Sequence, residues 1–204
     1  YLPPGVPHHG IAEGKCLTFS IGMRAPAKAE LLGDLADFLA EQMGEDERYG
    51  DGDLQPARSA GEIDDAALKR LRIALSPFRD MDASLLRRWF GQFMTRYRAA
   101  NLASPRARPL TASQWQRTRG EGHELLRNPW SRFAWSKAPT GATLFVAGDE
   151  FDCSRQLAEK LCARSVLPIG SLGKLSARDD MTLLALVNGG HLVIRKILKR
   201  RTTR

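Results

Sequence analysis

Apolar and polar positions change rhythm along this chain. Over residues 15–23 they alternate: Leu17, Phe19, Ile21 and Met23 fall on one side, and Cys16, Thr18, Ser20 and Gly22 on the other. Alternation with period two predicts a strand. Its second face is small and polar, which fits either a half-exposed strand with that face in water or a barrel wall beside a small charged ligand. From residue 27 the period becomes helical. Leu31, Leu32, Leu35, Phe38, Leu39 and Met43 make one apolar stripe, with Pro26 placed for the first turn and Gly44 for the C-cap. A loop rich in glycine and acid, residues 44–61, leads to a helix over 64–75 carrying Leu68, Leu71 and Leu75, which Ser76-Pro77 ends or interrupts. A third helix opens at the N-cap Asp82 and runs to about residue 98. Its face is broad and aromatic, with Leu85, Leu86, Trp89, Phe90, Phe93, Met94 and Tyr97. Helices with faces this wide can form a three-helix core or a dimer interface.

The grammar changes after a linker at 101–109 that carries two prolines and two arginines. Thr111 can cap a short helix reaching Gln116 and Arg117. Short strands are predicted over 124–127, 132–136 and 143–147, with turns at Asn128-Pro129 and Pro139-Thr140-Gly141. Asp152 or Ser154 caps a helix to about Ala163, and a last helix over 177–188 ends at Gly189-Gly190. Residues 191–196 close the module as a strand. Helices mixed with a small β-wing give a winged-helix-like unit. Such units often read DNA with a basic helix; the candidate here carries Arg155, Lys160 and Arg164 but also Glu159, so its charge is mild.

Composition narrows the choice. Hydrophobic residues make up 43% of 204, enough for a core, and no apolar run approaches the ~20 residues of a membrane span. No signal-peptide pattern opens the chain. Cys16, Cys153 and Cys162 have neither metal nor redox spacing, and their odd number and scatter fit a reducing cytoplasm. The net charge of +8 suits an acidic partner such as a nucleic acid. The charge concentrates at the carboxyl end, in Arg195, Lys196, Lys199, Arg200, Arg201 and Arg204, which reads as a solvated tail or as a nucleic-acid contact. There is no P-loop, no Gly-rich dinucleotide motif and no nucleophile elbow around Ser171.

The most constrained stretch comes first: Tyr1-Leu2-Pro3-Pro4-Gly5-Val6-Pro7-His8-His9-Gly10. Proline fixes φ and glycine permits positive φ, so a stiff turn presents His8 at the lip of a strand, as a metal ligand requires. This run, followed by Leu17-Thr18-Phe19-Ser20-Ile21-Gly22-Met23-Arg24-Ala25-Pro26, resembles the JmjC-type, cupin-like ribosomal oxygenases. The bacterial ribosomal-protein arginine hydroxylases of that family are most similar. The likeness continues more weakly through Trp89-Phe90-Gly91-Gln92-Phe93 to Leu186-Val187-Asn188-Gly189-Gly190.

The resemblance implies an α+β chain: a carboxyl-terminal remnant of a double-stranded β-helix (jelly roll or cupin), a helical dimerisation region and a winged-helix-like module. The corresponding boundaries are 1–26, 27–100 and 110–198, with a basic tail at 199–204. It also implies an Fe(II)- and 2-oxoglutarate-dependent dioxygenase that hydroxylates an arginine of a large-subunit ribosomal protein. Iron is held in that family by a His-x-Asp and a distant His. His8 matches the distant His, while Thr18 and Ser20 match polar positions near the 2-oxoglutarate. His9 stands where relatives often carry an acid and receives no ligand role. No His-x-Asp occurs in this sequence, since His123 precedes Glu124-Leu125 and His191 precedes Leu192-Val193. The chain therefore reads as the carboxyl-terminal part of such an oxygenase, inactive by itself, homodimeric, cytoplasmic and not membrane-bound, with ribosomal RNA a possible partner of the tail. The alternative is a non-catalytic dimeric winged-helix module that binds nucleic acid or protein.

Overall fold

The computed structural model describes residues 2–3, 5–19, 22, 24–44, 46–50, 52, 54–55, 59–97, 99, 101–120 and 122–197. Its elements run α1 (Lys28–Ala40), α2 (Asp65–Ala74), α3 (Ser76–Arg79), α4 (Ala83–Arg96), α5 (Ala112–Gly120), β1 (His123–Arg127), β2 (Phe133–Ala138), β3 (Gly141–Val146), β4 (Asp149–Cys153), α6 (Arg155–Ala163), β5 (Val166–Pro168), a 3₁₀ turn (Ile169–Leu172), α7 (Ala177–Asn188) and β6 (Leu192–Lys196).

Caps set the helix starts. Asp64, Asp82, Ser154 and Ser176 each accept a first-turn backbone N–H through the side chain. Ala27 has no side-chain acceptor, and the carboxylate of Glu30 takes its N–H instead, at 2.7 Å.

Two cores form. The smaller gathers Phe38 and Leu39 of α1 with Trp89 and Phe93 of α4, bordered by Leu31, Leu35, Met81, Leu85 and Tyr97. Asp34 fastens the pair of helices: it accepts the Trp89 indole N–H at 2.9 Å and a two-pronged contact from Arg96 at 2.7 Å. The larger core belongs to the winged helix. Trp115, Leu125, Leu144, Val146, Leu157, Leu161, Leu183, Leu186 and Val187 are almost wholly buried in it. One antiparallel sheet has the order β5-β1-β6; the other is the meander β2-β3-β4. The β3–β4 connection is the two-residue turn Ala147-Gly148, both at positive φ, as a tight hairpin prefers.

Helix α4 carries the contact between the helical region and the wing. α4 lies on β2 and β3, and Gly91 meets the ring of Phe145, itself 2% exposed. A Cβ on residue 91 would lie 2.4 Å from two ring carbons, so only glycine lets the helix come this close. The Arg88–Glu150 ion pair at 2.7 Å and the Gly148 N–H donated to Thr95 Oγ1 at 3.0 Å flank it.

The sequence expectations need several corrections. No strand forms among the described residues of 1–26. Leu17 and Phe19 are 80% and 81% exposed; a strand needs a neighbour for its backbone groups, and among the described residues none pairs with this segment. Leu32 is exposed, so α1 buries a narrower stripe than the six positions suggest. Of the α4 face read as a helical core or a dimer interface, Trp89 and Phe93 lie in the chain's own core, and Leu86 and Phe90 are exposed. β4 and β5 were not foreseen.

Candidate functional site

The described residues among the first 19 are exposed and form no helix or strand. Gly5 takes the positive φ that the Pro-Pro-Gly reading requires, at +78°, and Val6 N–H closes the turn on Pro3 O at 3.3 Å. His8 follows, with Nδ1 3.3 Å from Val6 O. If Nδ1 carries the proton and donates it there, Nε2 is left with its lone pair, the form in which a neutral imidazole binds a metal. His9 is equally exposed but has no described hydrogen bond. Thr18 is exposed too, and Ser20 lies outside the described residues.

These residues do not fit a complete iron centre. A facial triad needs three ligands on one side of the metal. Among the described residues no three His, Cys, Asp or Glu side chains converge. Of the sequence-predicted site, one candidate ligand and one candidate polar neighbour are therefore among the described residues, on one segment.

The DNA-reading helix fares differently. α6 turns Leu157, Ala158 and Leu161 into the core. Arg155 pairs with Glu159 at 2.7 Å and lies over the Trp135 ring, and Lys160 donates to Ser171 O at 2.8 Å. Two of the three basic residues are thus engaged within the chain. At the carboxyl end, Arg195 pairs with Glu124 at 2.6 Å, and Lys199, Arg200, Arg201 and Arg204 lie outside the described residues.

Sequence reasoning missed a polar joint where α7 ends. His191 Nδ1 lies 2.9 Å from Ser131 Oγ, and burial pushes its pKa below the ordinary imidazole value, with Asp149 pulling the other way. Asn128 donates its backbone N–H to His191 O and its side-chain amide to Gly190 O, just ahead of β6. A histidine with apolar neighbours Leu192 and Val193 gave no hint of this in sequence. Cys153 is buried in the core and Cys162 is half-buried against it: desolvation raises the first to about 12 and the second to about 11, which disfavours the reactive thiolate at neutral pH.

Known proteins resemble the chain in two places and along its length. The family model for a ROXA-like winged helix matches residues 79–193, and that for a JmjC domain matches residues 1–31. The ribosomal protein uL16 3-hydroxylase of Escherichia coli strain K12 is 25% identical over 196 residues, which are 94% of this chain and 51% of that protein. The solved structure of YcfD, a ribosomal oxygenase from Escherichia coli, superposes with a TM-score of 0.67 at 21% identity, over 84% of this chain and 47% of that one. The same protein in complex with cobalt and 2-oxoglutarate gives 0.63 at 19% identity, again over 84% and 47%. The chain spans about half the length of these relatives, and at such identity the structural likeness speaks for the fold alone.

Proposed function

Because the chain belongs to the family with a ROXA-like winged helix, we propose that it is part of a 2-oxoglutarate-dependent protein hydroxylase acting on an arginine of a large-subunit ribosomal protein. One observation carries this reading. A JmjC match at 1–31 and a winged-helix match at 79–193 stand in one chain, in a single alignment with a ribosomal-protein hydroxylase that runs through 94% of it.

In this reading His8 is one iron ligand, held by the Pro-Pro-Gly turn, and Thr18 and Ser20 bond the bound 2-oxoglutarate or its waters. Fe(II) with 2-oxoglutarate supplies the oxidising power of such enzymes. The chain's own share is to present an imidazole and a polar strand face. It provides one of three ligands, so residues 1–204 alone do not turn over. The exposed Leu17 and Phe19 suit a strand that completes its pairing with a barrel.

The helical region is read as the dimer contact. α2 buries no residue, and Leu71, Ile73, Leu75, Phe78, Leu86 and Phe90 are each at least 40% exposed, an apolar surface of the kind interfaces cover. Phe90→Glu and Leu71→Glu are the informative substitutions, since Trp89 is core. No helix among the described residues is long and apolar enough to cross a membrane. We place the protein in the cytoplasm, with the basic tail at 199–204 available to ribosomal RNA. A second reading, a non-catalytic winged-helix module, draws support from the complete core of that module beside a single candidate ligand.

Metal content tests the site. In a version of the protein that also carries a His-x-Asp strand, His8→Ala should abolish iron binding and His9→Ala should leave most of it. Equal loss from both rejects His8 as the ligand.

A further inference from the structure

We propose that the β1–β2 turn, residues 128–132, docks single-stranded RNA, with Trp130 as a stacking platform and Arg106 and Arg127 as phosphate-binding charges on its two sides. This does not depend on the hydroxylase reading, and the site is separate from both the tail and α6.

The turn is built rigidly. The Asn128 N–H donates to His191 O at 2.9 Å, its side-chain amide donates to Gly190 O at 2.9 Å, and its side-chain oxygen accepts Trp130 N–H at 3.0 Å. Ser131 N–H donates to Asn128 O at 3.0 Å, and Ser131 Oγ bonds His191 Nδ1 at 2.9 Å. Gly190, at φ +78°, is pressed against the 101–106 segment so closely that a Cβ would meet Ser104 O at 2.0 Å. All this order supports a turn that displays its indole. Trp130 is 47% exposed. By contrast Trp89 and Trp115 are 6% and 1% exposed and donate to Asp34 and Asp180, and Trp135 lies under the Arg155 guanidinium.

Two open grooves flank the crest and share Asn128. One, of about 410 Å³, runs between Leu102, Ser104, Arg106, Trp130 and Val193. The other, of about 630 Å³, is bounded by Arg127, Pro129, Arg132, Phe133 and Ser165. No carboxylate lines either. Arg106 donates to the Arg108 carbonyl, and Arg127 donates to the Cys162 carbonyl from above the Phe133 ring. A carbonyl orients a guanidinium without neutralising it. Four acids of this region are engaged elsewhere, in Glu124–Arg195, Glu150–Arg88, Glu159–Arg155 and Asp180–Arg119, while Asp149 acts on His191 beneath the turn. Residues 101–197 carry 14 Lys and Arg against 8 Asp and Glu.

An exposed aromatic face between positive grooves is the arrangement that holds single strands: bases stack and phosphates follow the charge. An acidic peptide would share the charges and the apolar walls of the grooves, but it has no use for an exposed ring on the crest between them, whereas a base stacks on it. Duplex DNA would call on α6, whose Arg155 and Lys160 are occupied.

The test is fluorescence anisotropy with a fluorescein-labelled 12-nucleotide adenine RNA, using the full chain, alongside the quenching of its own tryptophan emission. Trp130→Ala should weaken binding about 5- to 100-fold and remove the quenching, while Trp130→Phe keeps most of the affinity. Arg106→Gln and Arg127→Gln should each lower the slope of log K against log salt by about 0.7, the share of one phosphate contact on a single strand. Truncation at residue 197 should leave the Trp130-dependent part intact. Absence of binding, binding indifferent to Trp130, or complete loss on removing the tail overturns the proposal. Equal, Trp130-dependent binding of a poly-glutamate peptide overturns it in favour of an acidic protein partner. Circular-dichroism melts check that each surface variant is folded.

Discussion

Replacing Gly91 by alanine should destabilise the protein although alanine is the better helix former. The residue lies inside α4, where Gly→Ala is worth about 1 kcal/mol in favour of alanine. The new methyl group, however, would sit 2.4 Å from two carbons of the Phe145 ring and 2.6 Å from a third. Ordinary carbon contacts begin near 3.4 Å, so the overlap is about 1 Å. Phe145 is 2% exposed and lies on β3, the middle strand of its sheet. Its ring has no free direction, and overpacking of this kind costs about 1–3 kcal/mol. With the overlap at the upper end, Gly91→Ala should lose about 2 kcal/mol net, a fall of about 4–8 °C in Tm for a chain of this size. The same substitution on a Phe145→Ala background should gain about 1 kcal/mol, because the propensity term acts without the clash. Urea unfolding of the four proteins gives the coupling directly. A Gly91→Ala effect of equal sign and size on both backgrounds would refute the docking of α4 on the wing through this contact.

Three further outcomes follow from the cores. Asp34→Ala strands the buried Trp89 indole N–H and frees Arg96, and should cost about 1–3 kcal/mol in urea unfolding, whereas Asp34→Asn retains the acceptor and loses less. Burial lowers the folded-state pKa of His191 from its ordinary 6.5, so the unfolded chain binds the proton first. That histidine's contribution is thus present above about pH 6.5 and is lost as pH falls from there toward the lowered value; Tm of the wild type should drop more steeply between pH 7 and 5 than that of His191→Gln. With Cys153 and Cys162 raised to about 12 and 11 and Cys16 exposed, a thiol reagent at pH 7.5 should modify one cysteine quickly and the other two only on unfolding.

Much of the fold is legible in the sequence because its signals are local. The glycine pair ends α7 as read, and Ser154, one of two candidate caps, is the one used. Periodicity measures how wide a face is without naming what covers it, which is why Trp89 and Phe90, adjacent on α4, part company: one is core and the other is bare. β4, Asp149-Glu150-Phe151-Asp152-Cys153, gives no strand signal because three of its five residues are acidic. It holds as an edge strand by pairing with β3, a long-range fact. β5 is three residues long and has no period to detect. At the candidate site the prolines make His8 conspicuous, but nothing local reports what surrounds it. The strand expected over 15–23 depends on neighbours too, and alternation alone does not supply them. Trp130 escaped notice because an isolated aromatic in a turn has no pattern at all; its meaning comes from Asn128, Gly190 and His191 meeting beneath it.

The central claim is that this chain contributes one ligand and one polar face to a hydroxylase site completed by other residues. The most direct measurement is 2-oxoglutarate decarboxylation with Fe(II), ascorbate and a peptide from a large-subunit ribosomal protein. It should be run on residues 1–204 and, beside them, on a version that carries a His-x-Asp strand ahead of residue 1. The account predicts no turnover above the peptide-free background from the first, and turnover from the second that His8→Ala abolishes. Robust turnover by residues 1–204 would contradict it, and so would activity of the longer protein that survives the loss of His8.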